Sequence, residues 1–192
     1  MQAINHEAKV SYRAAAQTLG EGQYDLIRPK QDKTISVLDY VNLRKSGWLV
    51  SPVVDGYLDN IRLLGMDPLT LPSSFLFSNA NLTSSISGND FFEVLITNEN
   101  TSKNFGPNVK VIIDKNVAPG MAVGDISLVQ RLLNKNSITY LIVNPTQPLE
   151  QTELEEITPH LAIINTEQMT DISQLTDSCL LYTSDAADEP LC

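Results

Sequence analysis

The run Ile138-Thr139-Tyr140-Leu141-Ile142-Val143-Asn144-Pro145 decides the fold class. Its first six residues are almost continuously apolar, as expected of a strand covered on both sheet faces. Asn144-Pro145 stops it. Downstream, Thr152 and Glu155 have capping-box spacing, Leu154 and Ile157 supply the buried stripe of a short helix, and Pro159 ends it. Leu161 to Ile164 then forms another strand. Upstream, Val109 to Ile113 is a short apolar strand and Pro119-Gly120 breaks the chain. Asp125 caps an amphipathic helix marked by Ile126, Val129, Leu132 and Leu133, which Asn134-Lys135-Asn136 closes. Strand, helix, strand, helix, strand with short connections implies an α/β fold, a parallel sheet wound by right-handed crossovers with helices on both faces.

The N-terminal part is harder to assign. Asn5, the Ala14-Ala15-Ala16 run and Gly20 predict a helix over 6–19. Residues 21–33 are polar, carry Pro29 and read as a loop. Thr34 to Tyr40 fits either a strand or a helix start, punctuated by Ser46-Gly47. Trp48-Leu49-Val50 with Val53-Val54 is a strand signal weakened by Pro52. Asp55 is expected to cap a helix whose apolar face is Tyr57, Leu58, Ile61 and Leu64, closed by Gly65. Residues 67–89 are rich in Pro, Ser and Asn, a loop with at most one strand at Phe75-Leu76-Phe77. Phe91 to Ile96 is a strand followed by the polar turn Asn98-Glu99-Asn100.

Composition narrows the function. Thirteen Lys and Arg against 23 Asp and Glu, with no basic cluster, argue against nonspecific nucleic-acid binding. No stretch has the length of a membrane span, and the N-terminus lacks the order of a secretory signal. The two histidines, His6 and His160, are far apart and have no partner at ligand spacing, which argues against zinc. A solvated or capping histidine is the plainer reading of each, a base the sharper one.

In open parallel sheets ligands bind beyond the carboxyl ends of the strands. Those ends carry Asp114-Lys115-Asn116, Asn144-Pro145-Thr146-Gln147-Pro148 and Asn165-Thr166-Glu167-Gln168. Short polar side chains there suit phosphate, a metal's water shell or sugar hydroxyls. They are equally good turn formers. The chain has no glycine-rich phosphate loop, no nucleophile elbow and no assignable carboxylate pair. Glu153, Glu155 and Glu156 read as a solvated first turn.

In order, the segments over 53–177 resemble the ribokinase-like (PfkB) carbohydrate kinases. Tyr140 to Pro145, the helix at 149–157, Leu161 to Asn165 and Leu175-Thr176-Asp177 are similar to that family's strand–Asn-Pro–helix–strand–Asn-x-x-Glu passage. Val54 to Asp67 is similar to its helix after a Gly-x-Asp turn, and Phe91 to Asn100 to its substrate-covering lid. The resemblance implies a Rossmann-like, ribokinase-type sheet with a small β lid near 75–100, and a cytoplasmic enzyme. It also implies transfer of the ATP γ-phosphate to a sugar or nucleoside hydroxyl, assisted by Mg2+. Asp114 and Asn116 would then face the substrate, and Asn144, Asn165 and Gln168 the nucleotide and its metal. Four features depart from the family. The early Gly-Gly-x-x-x-Asn segment is missing, the interval between Gly20 and Val53 is longer than usual, and Gln168 stands where the magnesium-linked carboxylate belongs. The Gly-x-Gly-Asp segment with the catalytic base would lie past Ser178, so the resemblance implies a kinase fragment inactive as written. The missing glycine segment and the missing carboxylate favour the competing reading, a noncatalytic α/β binding or structural protein, for example of a phage or mobile element. A third reading is another nucleotide-binding α/β enzyme with its site wholly downstream.

Residues 179–189, Cys179-Leu180-Leu181-Tyr182-Thr183-Ser184-Asp185-Ala186-Ala187-Asp188-Glu189, resemble a translated sequencing adapter. That resemblance implies a single truncated domain over 1–178, with 1–52 carrying one assigned helix, 53–178 the α/β core and 179–192 a non-native tail. Removing the tail takes away both cysteines and, with Asp185, Asp188 and Glu189, moves the formal charge from −10 to −7.

Overall fold

The structure is a computed structural model that describes residues 23–31, 34–72, 92–105, 109–115, 117–148 and 151–166. Among the described residues, eight strands form one sheet. They are β1 (Leu26–Pro29), β2 (Val50–Leu58), β3 (Ile61–Met66), β4 (Val94–Thr97), β5 (Lys110–Ile113), β6 (Met121–Asp125), β7 (Tyr140–Val143) and β8 (Leu161–Ile164). Among the described residues four helices accompany them: α1 (Val37–Lys45), α2 (Glu99–Ser102), α3 (Ile126–Leu133) and α4 (Gln151–Ile157). The class is α/β, and the sheet is mixed. Its order is β5-β4-β6-β3-β2-β7-β1-β8, with β3–β6 and β4–β5 parallel and every other neighbouring pair antiparallel.

The register sorts the side chains onto two faces. On one lie Leu26, Val53, Leu64, Met66, Ile96, Met121, Val123, Tyr140 and Ile142, a single apolar cluster joined by Tyr24, Val117 and Ala118 from the loops. The opposite face carries two clusters. Ile27, Val50, Leu141, Val143 and Leu161 pack against Leu43 of α1 and Leu154 of α4. Val54, Leu63, Leu95 and Ala122 pack against Leu128 and Val129 of α3. Thus α1, α3 and α4 all cover the same face. The expected placement of helices on both faces is corrected for these three. Gly65 lets α3 settle close to the sheet, because a Cβ there would lie 2.8 Å from Val129 Cβ and 3.1 Å from Ile126 Cα.

Local signals explain several elements. Ser36 caps α1: its Oγ accepts from Asp39 N–H while the Asp39 carboxylate accepts from Ser36 N–H, a reciprocal capping box. Ser46-Gly47 ends the helix as expected. Gly47 is left-handed at φ 93, and Trp48 N–H donates to Leu43 O at 3.0 Å, which closes a Schellman turn. Asp125 caps α3 by accepting from Ser127 N–H at 2.8 Å, and Asn134 ends it in the left-handed region. Asn98 caps the short α2 by accepting from Thr101 N–H.

Three expectations fail. Residues 55–64 are not a helix but the hairpin of β2 and β3, turning at Asp59-Asn60. Tyr57, Leu58, Ile61 and Leu64 satisfy a helical period, yet Val54, Gly56 and Leu58 on one arm and Ile61, Leu63 and Gly65 on the other alternate as strands do. Asp59 takes the positive φ of 52 that a tight hairpin demands. Asp55 is therefore a strand residue and caps nothing. Residues 21–33 contain β1, which inserts between β7 and β8. Pro29 is its last residue, and its nitrogen faces the β7 side, where the β1–β7 ladder has already ended at Ile27↔Leu141, so the missing N–H breaks no rung. Finally, β4 is no lid strand; it lies inside the main sheet between β5 and β6. Pro52 is tolerated in β2 because the β2–β3 ladder begins one residue later, at Val53↔Met66. The helix expected over 6–19 and the strand at 75–77 lie outside the described residues.

Candidate functional site

The polar strand ends do not converge. Because β7 and β8 are both antiparallel to β1, their carboxyl ends share one rim. Following the ladders from β7 through β2, β3, β6 and β4 shows that β5 runs the opposite way. Asp114, at the end of β5, therefore sits on the other rim. β5 and β8 are also the two lateral edges of the sheet, seven interstrand spacings apart, which is roughly 30 Å. Asn144 and Asn165 share a rim but have the start of β1 between them. Asn116 and Gln168 lie outside the described residues.

The Asn144 and Asp114 ends are each occupied by their own turn, and the Asn165 end is tied to Asp25. Asn144 Oδ1 accepts from Thr146 N at 3.0 Å and Thr146 Oγ1 at 2.8 Å, the self-contained turn that Asn forms readily. Gln147 Oε1 accepts from Leu49 N at 2.7 Å, tying that turn to the start of β2. Between the tips, Asp25 joins both strands. Its carbonyl accepts from Val143 N at 2.9 Å, and its Oδ1 accepts from Thr166 N at 2.8 Å. Asp25 was missed because the polar stretch around it gave no strand signal. On the opposite rim, Asp114 N donates to Thr97 O at 2.8 Å, and Asp114 O accepts from Val117 N at 3.2 Å.

A connected set of titratable groups lies instead at the foot of β1 and β8. Lys30 N donates to His160 O at 2.9 Å, which extends the β1–β8 ladder by one rung. Lys30 Nζ reaches Glu155 Oε1 on α4 at 2.9 Å. His160 Nε2 lies 3.2 Å from Asp39 Oδ2, the same oxygen that accepts from Ser36 Oγ at 2.7 Å. Burial of Asp39 opposes its ionisation. The hydrogen bonds from Ser36 and from His160, together with the His160 charge, outweigh burial and hold the carboxyl below its ordinary range. A cleft of about 220 Å³ lies alongside, lined by Lys30, Gln31, Pro159 and His160.

Serine, histidine and aspartate meet here, but in an order that cannot activate a nucleophile. A triad needs the hydroxyl on the imidazole and the carboxylate behind it. Here Asp39 stands in the middle: Ser36 Oγ donates to the carboxylate, and His160 approaches the same carboxylate. The imidazole is thus on the carboxylate and not on the Ser36 hydroxyl. Among the described residues no three His, Cys, Asp or Glu side chains gather closely enough to hold a metal ion.

The fold and this site define a mixed α/β domain in which Asp39 and Asp125 are engaged in caps, Asp55 in an ion pair and Asn144 in a turn. No family model and no curated protein matches the chain. Among solved structures, it is similar to the periplasmic region of MacB from Actinobacillus actinomycetemcomitans, at 11% identity and TM-score 0.45, covering 84% of this chain and 98% of that one. It is also similar to the extracellular domain of the noncanonic ABC-type transporter YknZ from Gram-positive bacteria, at 11% identity and TM-score 0.45, covering 74% and 99%.

The resemblance to the ribokinase-like kinases is thereby corrected. The segment likened to a kinase helix is a hairpin, the supposed lid strand is internal, and the strand ends that should share one site lie on opposite rims. The kinase activity and the sugar or nucleoside partner go with it, as does the cytoplasmic placement that followed from it. ATP and Mg2+ entered only through that resemblance. Asn144 and Asn165 offer no carboxylate to a cation, and the Asn144 oxygen is already engaged by Thr146.

Proposed function

We propose that the chain acts as a noncatalytic α/β binding or structural domain. One observation carries this reading: Asp25, Asp39, Asp55, Asn98, Asp125 and Asn144 are each committed to a backbone N–H or an ion pair within the domain. An enzyme needs an acid, base or nucleophile held ready beside a concave ligand surface. Side chains spent on caps and turns fix the backbone instead. The partner that fits is a protein, since the excess of 23 acidic over 13 basic residues repels nucleic acid.

Titration with ATP·Mg2+ and a panel of sugars and nucleosides, followed by amide NMR, tests the reading. The amides of Asn144, Thr146 and Thr166 should not shift saturably, and no phosphorylated product should form. Saturable shifts there, with phosphate transfer, would overturn it.

A further inference from the structure

We draw no further inference here: the strongest candidate, the cleft between the foot of β1 and the Pro159–His160 turn, belongs to the site already described, and both of its basic side chains are already held by carboxylates, Lys30 by Glu155 and His160 by Asp39.

Discussion

Arg62 grips Asp55 across the β2–β3 hairpin, with Nε 2.9 Å from Oδ1 and Nη2 2.5 Å from Oδ2. The two residues sit on diagonal positions of one face, since Asp55 pairs with Leu64 and Tyr57 with Arg62. Both side chains are largely shielded, at 27% and 15% exposure. Hydrogen bonding to Asp55 holds the guanidinium firmly protonated despite its partial burial. The backbone of Asp55 is held as well, its N–H by Thr139 Oγ1 at 2.9 Å and its carbonyl by Lys135 Nζ at 3.2 Å.

Removing either member leaves the other charge partly buried and alone. Arg62→Ala should cost about 2 kcal/mol in urea unfolding, and a double-mutant cycle with Asp55→Ala should return a coupling of about 1 kcal/mol or more. A coupling near zero would mean that the fork geometry contributes nothing.

The turn at Asp59 separates the hairpin from the helix that the same residues suggest. With Asp59 at φ 52, Asp59→Gly should be neutral or stabilising, and Asp59→Val should cost about 1 kcal/mol or more. In a helix interior the order reverses, with Gly the worse by roughly half a kcal/mol. Thermal unfolding of the two variants decides between them.

Gly65 and Gly56 both lie under α3, yet they should differ in tolerance. A Cβ at Gly65 meets the backbone of Ile126 and the branched Cβ of Val129, neither of which can move cheaply. At Gly56 the neighbours are the far ends of Leu133 and Lys135. Gly65→Ala should therefore cost about 2 kcal/mol and Gly56→Ala clearly less. Equal costs in denaturant melts would contradict the seating of α3.

Asp39 should leave a signature in acid. Its folded-state pKa is lowered, so its contribution is present above the ordinary value of 3.8 and is lost as pH falls through the lower folded value. Unfolding measured from pH 6 down to pH 2 should show a steeper loss in the natural chain than in Asp39→Asn. Parallel curves would mean that the carboxylate gains nothing on folding. Ser36→Ala, which removes the cap, should cost about 1 kcal/mol at neutral pH.

Much of the local structure was legible in the sequence, and the topology was not. The apolar runs that become β4, β5, β7 and β8 stand out, as do α3 and its Asp125 cap, because those signals lie within a few residues of one another. β6 was hidden because Met121-Ala122-Val123-Gly124-Asp125 runs straight into α3, with no connecting loop to announce it. The hairpin was hidden because residues 54–65 satisfy both periods, and only the left-handed Asp59 separates them. No local feature says that β1 threads between β7 and β8, more than a hundred residues away, or that β5 runs opposite to β7. Strand directions follow from long-range pairing, so Asp114, Asn144 and Asn165 looked like one site when only their positions along the chain were compared. The Asp39–His160 pair was invisible for the same reason; each residue alone fits a cap or a solvated side chain.

A pulsed electron–electron distance between spin labels at Asp114→Cys and Asn165→Cys, with Cys179 and Cys192 replaced by Ser, bears most directly on whether these polar strand ends form a site. The sheet order predicts a separation of about 30 Å or more, set by seven strand spacings and opposite rims. A distance below about 20 Å would bring the two ends together and contradict both the topology and the noncatalytic reading built on it.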